Sequence, residues 1–206
     1  MTFKQYTAGA LRTESTLSPL AQEIEARGLS NRLYHAILGL CTEMNEVYDA
    51  IELKDPNTWD NVNILEELGD SMWYLAIAAD ELKITKQINY FNFKVEPIDQ
   101  VTLCNPMSKY IFIKSLRQLQ AGLLDICKKV MFYGKQLDLE VVKENIFTQY
   151  LMIRGIIELI SQDPETIDSV MHINLAKLKQ RYPEKFDGYK AEIRDLDAER
   201  KILEKI

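Results

Sequence analysis

Two successive stretches of this chain carry apolar residues at every third or fourth position, and that spacing constrains the fold more than any other feature. In residues 31–53 the stripe is Leu33, Ile37, Leu40, Met44, Val47 and Ile51. In residues 62–82 it is Leu65, Leu68, Met72, Leu75, Ala79 and Leu82. A period near 3.6 belongs to an amphipathic helix. Residues 54–60, Lys-Asp-Pro-Asn-Thr-Trp-Asp, form a polar turn with Pro56 as breaker. The two stretches therefore read as a helical hairpin spanning about 31–83.

The same spacing continues downstream. A third helix is expected over 108–132, with Gly134 as its stop, and a fourth over 139–160, ending near Asp163-Pro164. A fifth follows over about 164–182, where Asp163 suits an N-cap, Pro164 the first helical position and Pro183 the stretch beyond the end. The tail, 191–206, is charged with helical spacing. Residues 89–106 read as a linker or a lid, with aromatic and β-branched residues that also suit a short extended piece. With only eight glycines and six prolines in 206 residues, the expected fold is an all-α helical bundle forming one domain.

Composition excludes several classes. No run of about 18 apolar residues exists, so no transmembrane helix is expected. The first seven residues, Met-Thr-Phe-Lys-Gln-Tyr-Thr, lack the apolar core of a signal peptide, so a cytoplasmic protein is expected. The three cysteines, Cys41, Cys104 and Cys127, form no Cys-x-x-Cys clip and read as reduced core thiols. A net charge of −6 argues against a nucleic-acid polymer as partner.

Each helix of the first hairpin carries two acids three residues apart, Glu43-x-x-Glu46 and Glu67-x-x-Asp70. Such pairs share a helix face. The line through the first pair runs Gly39, Glu43, Glu46, Ala50, Leu53; through the second it runs Glu67, Asp70, Tyr74, Ile77. A solvated face would carry charges throughout, and these faces are otherwise small or apolar. Glu46 precedes the turn by about as many residues as Asp70 follows it, so antiparallel helices set the acids at one level. Four converging carboxylates repel unless a cation lies between them. Hard oxygen ligands of this kind suit Mg²⁺, which commonly works on phosphates.

A second cluster lies in Asn174-Leu-Ala-Lys-Leu-Lys-Gln-Arg-Tyr-Pro-Glu-Lys-Phe186, where Asn174, Lys177 and Arg181 share one face. Amide, ammonium and guanidinium together make an anion grip. A weak internal repeat is also present. It aligns 46–51 with 122–127 and 65–70 with 143–148, so that Leu119, Gly122, Asn145 and Thr148 replace Glu43, Glu46, Glu67 and Asp70.

Taken together, these residues resemble the MazG-like, all-α nucleoside triphosphate pyrophosphohydrolases, a superfamily that also includes dimeric dUTPases. The matching segments are Tyr6-Thr-Ala-Gly-Ala-Leu-Arg-Thr-Glu-Ser15, Leu33-Tyr-His-Ala-Ile-Leu-Gly-Leu-Cys-Thr-Glu-Met-Asn-Glu-Val47, Leu65-Glu-Glu-Leu-Gly-Asp-Ser-Met-Trp-Tyr-Leu75, the 174–186 stretch and Arg194-Asp-Leu-Asp-Ala-Glu-Arg200. The acidic motif followed by the Asn-Lys-Arg-Tyr-Pro segment makes the resemblance specific; neither alone would.

The resemblance implies Mg²⁺-dependent hydrolysis of a (d)NTP at the α–β phosphoanhydride to a monophosphate and pyrophosphate, with Mn²⁺ as a substitute metal. Glu43, Glu46, Glu67 and Asp70 would be the metal ligands and catalytic acids. Asn174, Lys177, Arg181 and Tyr182 would hold the triphosphate, making 165–182 the phosphate-binding helix. His35 and Trp73 would line the base pocket.

This chain departs from the family pattern in three places. Thr42 stands where some members have a further acid before Glu43. About eighty extra residues separate the second acidic motif from the Asn-Lys segment, consistent with one added hairpin at about 108–161. Lys128-Lys-Val-Met-Phe-Tyr-Gly-Lys135, which resembles a family stretch, belongs to that acid-poor hairpin.

The implied architecture is a tandem, pseudo-dimeric pair of hairpins, acting as a monomer or pairing further as a homodimer. The first hairpin would carry the metal site, and the second would add Lys128 and Lys129 to the phosphate site. The alternatives are a catalytically silent nucleotide-sensing or protein-binding module and a hydrolase of another pyrophosphate-bearing nucleotide. Base and sugar preference stay open, as does the carboxylate that activates water.

Overall fold

A computed structural model describes residues 1–14, 22–51, 59–92, 106–161, 166–186, 189 and 195–204, with the backbone alone at 22–23, 91–92, 106–110 and 112. Among these residues all regular structure is helical: α1 (Phe3–Leu11), α2 (Gln22–Ala26), α3 (Asn31–Ile51), α4 (Asn61–Glu81), α5 (Thr85–Asn92), α6 (Pro106–Tyr133), α7 (Leu139–Ser161), α8 (Thr166–Arg181) and α9 (Leu196–Leu203). The all-α expectation holds, and the five long helices fall close to where apolar spacing puts them. The turn at 54–58, the stretch 93–105 with Cys104, the Asp163 cap with Pro164, and the tail residues 191–194 lie outside the described residues.

The short helices differ from the sequence reading. Residues 89–92, read as linker, end α5, which Ile84 and Ile88 anchor in the core. Their four-residue spacing is one helical turn, and the aromatic and β-branched residues downstream masked it. Helix α1 opens with a capping box: Thr2 Oγ1 accepts from Gln5 N at 3.2 Å, and Thr2 N donates to Gln5 Oε1 at 2.8 Å. This box satisfies two otherwise orphaned amides and is visible as Thr-x-x-Gln.

Helix ends elsewhere follow local chemistry. Asp60 caps α4 through Asn63 N at 3.2 Å. The far end of α4 closes with Lys83 in the left-handed region (φ 61°), Ile84 N donating back to Ala79 O at 2.9 Å. Gly134, at φ 66°, stops α6 as its position predicts.

Helix α4 is the central post. It packs against α1, α3, α5, α7 and α8 and buries residues on nearly every side, including Ile64, Leu68, Met72 and Ala76–Ala79. The small side chains of Ala76, Ala78 and Ala79 let neighbouring helices close in on it. Helices α6 and α7 form a second hairpin, α6 lying on α3 and α7 on α4. Helix α8 fills the remaining side of α4 and holds α9. Among the described residues, no helix is long and apolar enough to cross a membrane. Cys41 and Cys127 are free thiols, and burial pushes them up to about 12 and about 11, as inert core groups.

Glycine fixes the register of the first hairpin. A Cβ on Gly39 would lie 2.1 Å from the Tyr74 ring, so the ring lies flush against the α3 backbone. One turn toward the loop on α3, Glu43 comes level with Asp70, and Glu46 meets Glu67. This register is about one turn from the one that counting from the turn gives, which sets Glu46 against Asp70; the Gly39–Tyr74 contact decides it. In the second hairpin, Asn145 Nδ2 donates to the Leu119 carbonyl at 3.1 Å and lies 3.9 Å from where a Gly122 Cβ would be. Replacing Gly39 with alanine should therefore overpack the seam and lower stability by about 1–3 kcal/mol. Urea unfolding measures this; wild-type stability would show the ring free to swing aside.

Candidate functional site

Glu43 and Glu46 of α3 and Glu67 of α4 offer carboxylate oxygens that all lie within 4.8 Å of one another. Glu46 is exposed, Glu43 half-buried and Glu67 only 9% exposed. The apolar stripes of the two helices set this arrangement: each helix buries its stripe and turns the neighbouring acidic line into the seam. Burial, then Asp70 and Glu46, push Glu43 up to about 7, while a hydrogen bond with Glu67 and the charge of Lys177 oppose the rise. Burial, then Asp70, Glu46, Glu66 and Glu43, push Glu67 up to about 8. Crowded carboxylates without a cation thus retain protons near neutrality.

The fourth acid stands differently. Sequence spacing makes Asp70 a member of the cluster, and it does lie within electrostatic reach of Glu43 and Glu67. Its oxygens, however, turn to α8. Oδ1 accepts from Asn174 Nδ2 at 2.6 Å, and Oδ2 accepts from Lys177 Nζ at 2.5 Å. Lys177 is fully buried, and its ammonium also reaches Glu66 Oε1 at 3.2 Å. Burial alone would lower the Lys177 pKa, yet Asp70 and Glu66 hold it above the usual lysine range. A competing internal cation thus occupies the acid that helix geometry presents to the cluster.

The expected phosphate-gripping residues divide. Asn174 and Lys177 stand beside the acids. Arg181 lines the adjoining cavity but donates from Nε and Nη2 to Glu199 of α9 at 2.8 and 2.6 Å. Lys128 and Lys129 both pair with Asp125 on their own helix, at 2.5 and 2.6 Å, with side chains about half exposed, and neither lines the cavity.

That cavity has a volume of about 260 Å³. Glu43 and Asp70 form its acidic wall, His35, Trp73 and Tyr74 an aromatic wall, and Thr13, Leu178, Arg181, Tyr182 and Phe186 the remainder. The His35 ring stands edge-on to Trp73 and Tyr74, with centroids 6.5 and 5.6 Å away. Trp73 Nε1 donates to Ala10 O and Thr13 Oγ1, each at 3.1 Å, which fixes the indole. Burial lowers the His35 pKa against the pull of Glu14, and its Nδ1 is buried without a partner. Tyr74 stays a phenol, pushed upward by burial, Glu43, Asp70 and Tyr182. A second cavity, about 320 Å³, lies among residues such as Met1, Gln5, Arg154 and Asp168 and includes none of the four acids.

Tyr6, Glu66, Tyr74 and Glu199 were not expected at the site. Tyr74 carries a sequence signal, since it lies one turn beyond Asp70 on the acidic line. Tyr6 and Glu199 fall in segments that carry the resemblance, but helical spacing does not point either one at the acids; the packing of α1 and α9 brings them in.

The chain matches no family model, and neither a curated protein nor a solved structure gives a significant match. The donor chemistry remains. Three converging carboxylates supply hard oxygen ligands, and their raised pKa values mark a deficit of positive charge at that point, so these residues fit a hard divalent cation.

The sign of the pH dependence follows. Glu43 and Glu67 bind protons more tightly folded than unfolded, so their contribution to stability is full below about 4.5 and lost as pH rises through 7 to 8. A divalent cation must displace those protons at pH 6, whereas at pH 8 Glu43 is largely ionised and Glu67 about half so. Thermal unfolding should therefore show a larger Mg²⁺-induced rise in Tm at pH 8 than at pH 6, with the difference reduced in Glu67→Gln.

Proposed function

We propose that this chain is an Mg²⁺-dependent nucleoside triphosphate pyrophosphohydrolase, cleaving the α–β phosphoanhydride to a nucleoside monophosphate and pyrophosphate. The observation that carries this reading is the meeting of three carboxylates at the edge of an aromatic cavity. Glu43, Glu46 and Glu67 would hold the cation, with Asp70 joining them if Lys177 releases it. Mg²⁺, or Mn²⁺ in its place, would neutralise phosphate charge and acidify a bound water.

The chain's own residues supply the rest. A carboxylate whose pKa lies near neutrality is matched to accept a proton from water, and Glu43 and Glu67 both qualify. Asn174 and Lys177 border the acids from α8 and would meet the phosphates. A volume of about 260 Å³ lies below the roughly 300–1,000 Å³ of typical small-molecule pockets. It suits a base and sugar, with the phosphates lying over the acids outside. Trp73 and Tyr74 offer ring surface to a base.

The second hairpin supports a tandem origin. Asn145 stands by Gly122 and Leu119 as Glu67 stands by Glu46 and Glu43. One hairpin would thus be live and the other supporting, in a chain acting as a pseudo-dimer. A second reading, a silent nucleotide-binding module, draws on one observation: Asp70 is already engaged by Asn174 and Lys177.

Pyrophosphate release from a panel of NTPs and dNTPs, with Mg²⁺ and with EDTA, tests both readings. Metal-dependent pyrophosphate and monophosphate are expected, with turnover in folded Glu67→Gln down by at least about 100-fold, the upper end of what outer-shell changes cost a metal site. Nucleotide binding without turnover across the panel would favour the silent module. Full activity in folded Glu67→Gln would end the metal assignment.

A further inference from the structure

We infer that Tyr6 is a positioning residue that, acting through Asn174, fixes the orientation of the Asp70 carboxylate at the acidic cluster. The inference rests on reading that cluster as a divalent-cation site.

The proton inventory forces the direction of the chain. Asp70 faces the Lys177 ammonium through Oδ2 and accepts there. The Asn174 amide 2.6 Å from Asp70 Oδ1 must therefore present its NH₂ group there. Its Oδ1 is left facing the Tyr6 hydroxyl at 2.7 Å. That hydroxyl has one proton to donate. Its other neighbour, the Gly69 carbonyl, is farther away at 3.2 Å, so the proton serves Asn174. Tyr6 and Asn174 are 0% and 3% exposed, so solvent offers the amide no equal substitute.

Packing holds the three parts together. Tyr6 belongs to the capped helix α1 and Asn174 to α8, while Asp70 follows Gly69 on α4. A Cβ on Gly69 would lie 3.3 Å from Asn174 Cβ, so the bare backbone there lets α8 come close enough for the amide to reach. Without the Tyr6 proton, nothing in this chain of bonds opposes rotation of the amide, which would turn Oδ1 toward a carboxylate. Asp70 would then lose the donor that holds Oδ1 and keep only Lys177 on Oδ2 and its own rotamer preference. Burial and Asp70 both hold the Tyr6 pKa well above its ordinary value, so the phenol keeps this proton.

The test is Mn²⁺ affinity, read from free Mn²⁺ by electron paramagnetic resonance, in wild type, Tyr6→Phe, Asn174→Ala, the double variant and Glu67→Gln. Circular dichroism reports the fold of each. Tyr6→Phe should tighten Mn²⁺ binding on the order of 5-fold, the worth of one hydrogen bond, because Asp70 Oδ1 is no longer held turned from the other three acids. Asn174→Ala should tighten it at least as much, and the double variant should match Asn174→Ala alone, because Tyr6 acts through that amide. A purely structural tyrosine would lower affinity equally in both backgrounds, which overturns the inference. So does wild-type affinity in Tyr6→Phe, or in Asn174→Ala even if Tyr6→Phe does not fold. Equal Mn²⁺ binding by wild type and Glu67→Gln would instead overturn the cation-site reading itself, and the inference with it.

Discussion

A buried ammonium organises this molecule. Lys177 has no exposed surface, and its charge is held between Asp70 and Glu66 of the central helix. Removing one partner of such a pair leaves an uncompensated buried charge, at a cost of about 3–5 kcal/mol. The contact therefore ties α8 to α4 more specifically than apolar packing alone. Among the described residues it leaves Glu43, Glu46 and Glu67 without an equivalent counterion, and burial together with their mutual repulsion raises Glu43 and Glu67 toward neutral pH. The same bridge that anchors the bundle thus defines the charge deficit at the candidate site.

That deficit sits on an unusual support. Helix α4 is buried on nearly every side, so its acids are placed by a rigid element rather than by a loop. Sites on such elements hold their geometry within narrow limits. Gly39 contributes from the other helix, since only a missing Cβ lets Tyr74 lie against α3 and close one side of the cavity. The second hairpin has its own close contact, between Asn145 and the Leu119 carbonyl. A neutral side chain that bonds to backbone needs no counterion, which makes that hairpin a stable flank for the first.

The periphery is built from side chains that secure one another. Glu199 of α9, 3% exposed, takes two donors from Arg181, and Arg12 donates to the carbonyls of Tyr182, Pro183 and Glu184. These bonds fasten the end of α8 and the start of the following segment over the aromatic cavity. Arg32 makes a similar network, joining Glu14 to Asp80 and Glu81. The cavity walls are thus tied by charge pairs outside and by apolar packing within.

By itself the sequence determined the helical class, the five long helices and the acidic line of the first hairpin, because each depends on spacing along one or two neighbouring helices. It also contained the capping box of α1 and the position of Tyr74, both local signals. Only the tertiary structure decided what Asp70, Asn174, Lys177 and Arg181 do. A helix places Asp70 beside Glu67 whatever lies opposite, but the approach of α8 turns Asp70 away from the other three acids. Likewise, Arg181 reads as an anion grip until α9 brings Glu199 to it, and Lys128 and Lys129 read as site residues until Asp125 takes both. Tyr6 left no trace in the spacing, since its hydroxyl meets a partner 168 residues away. Periodicity reports which face of a helix is buried; the long-range partners of a charged side chain are set by packing, over distances that no local pattern encodes.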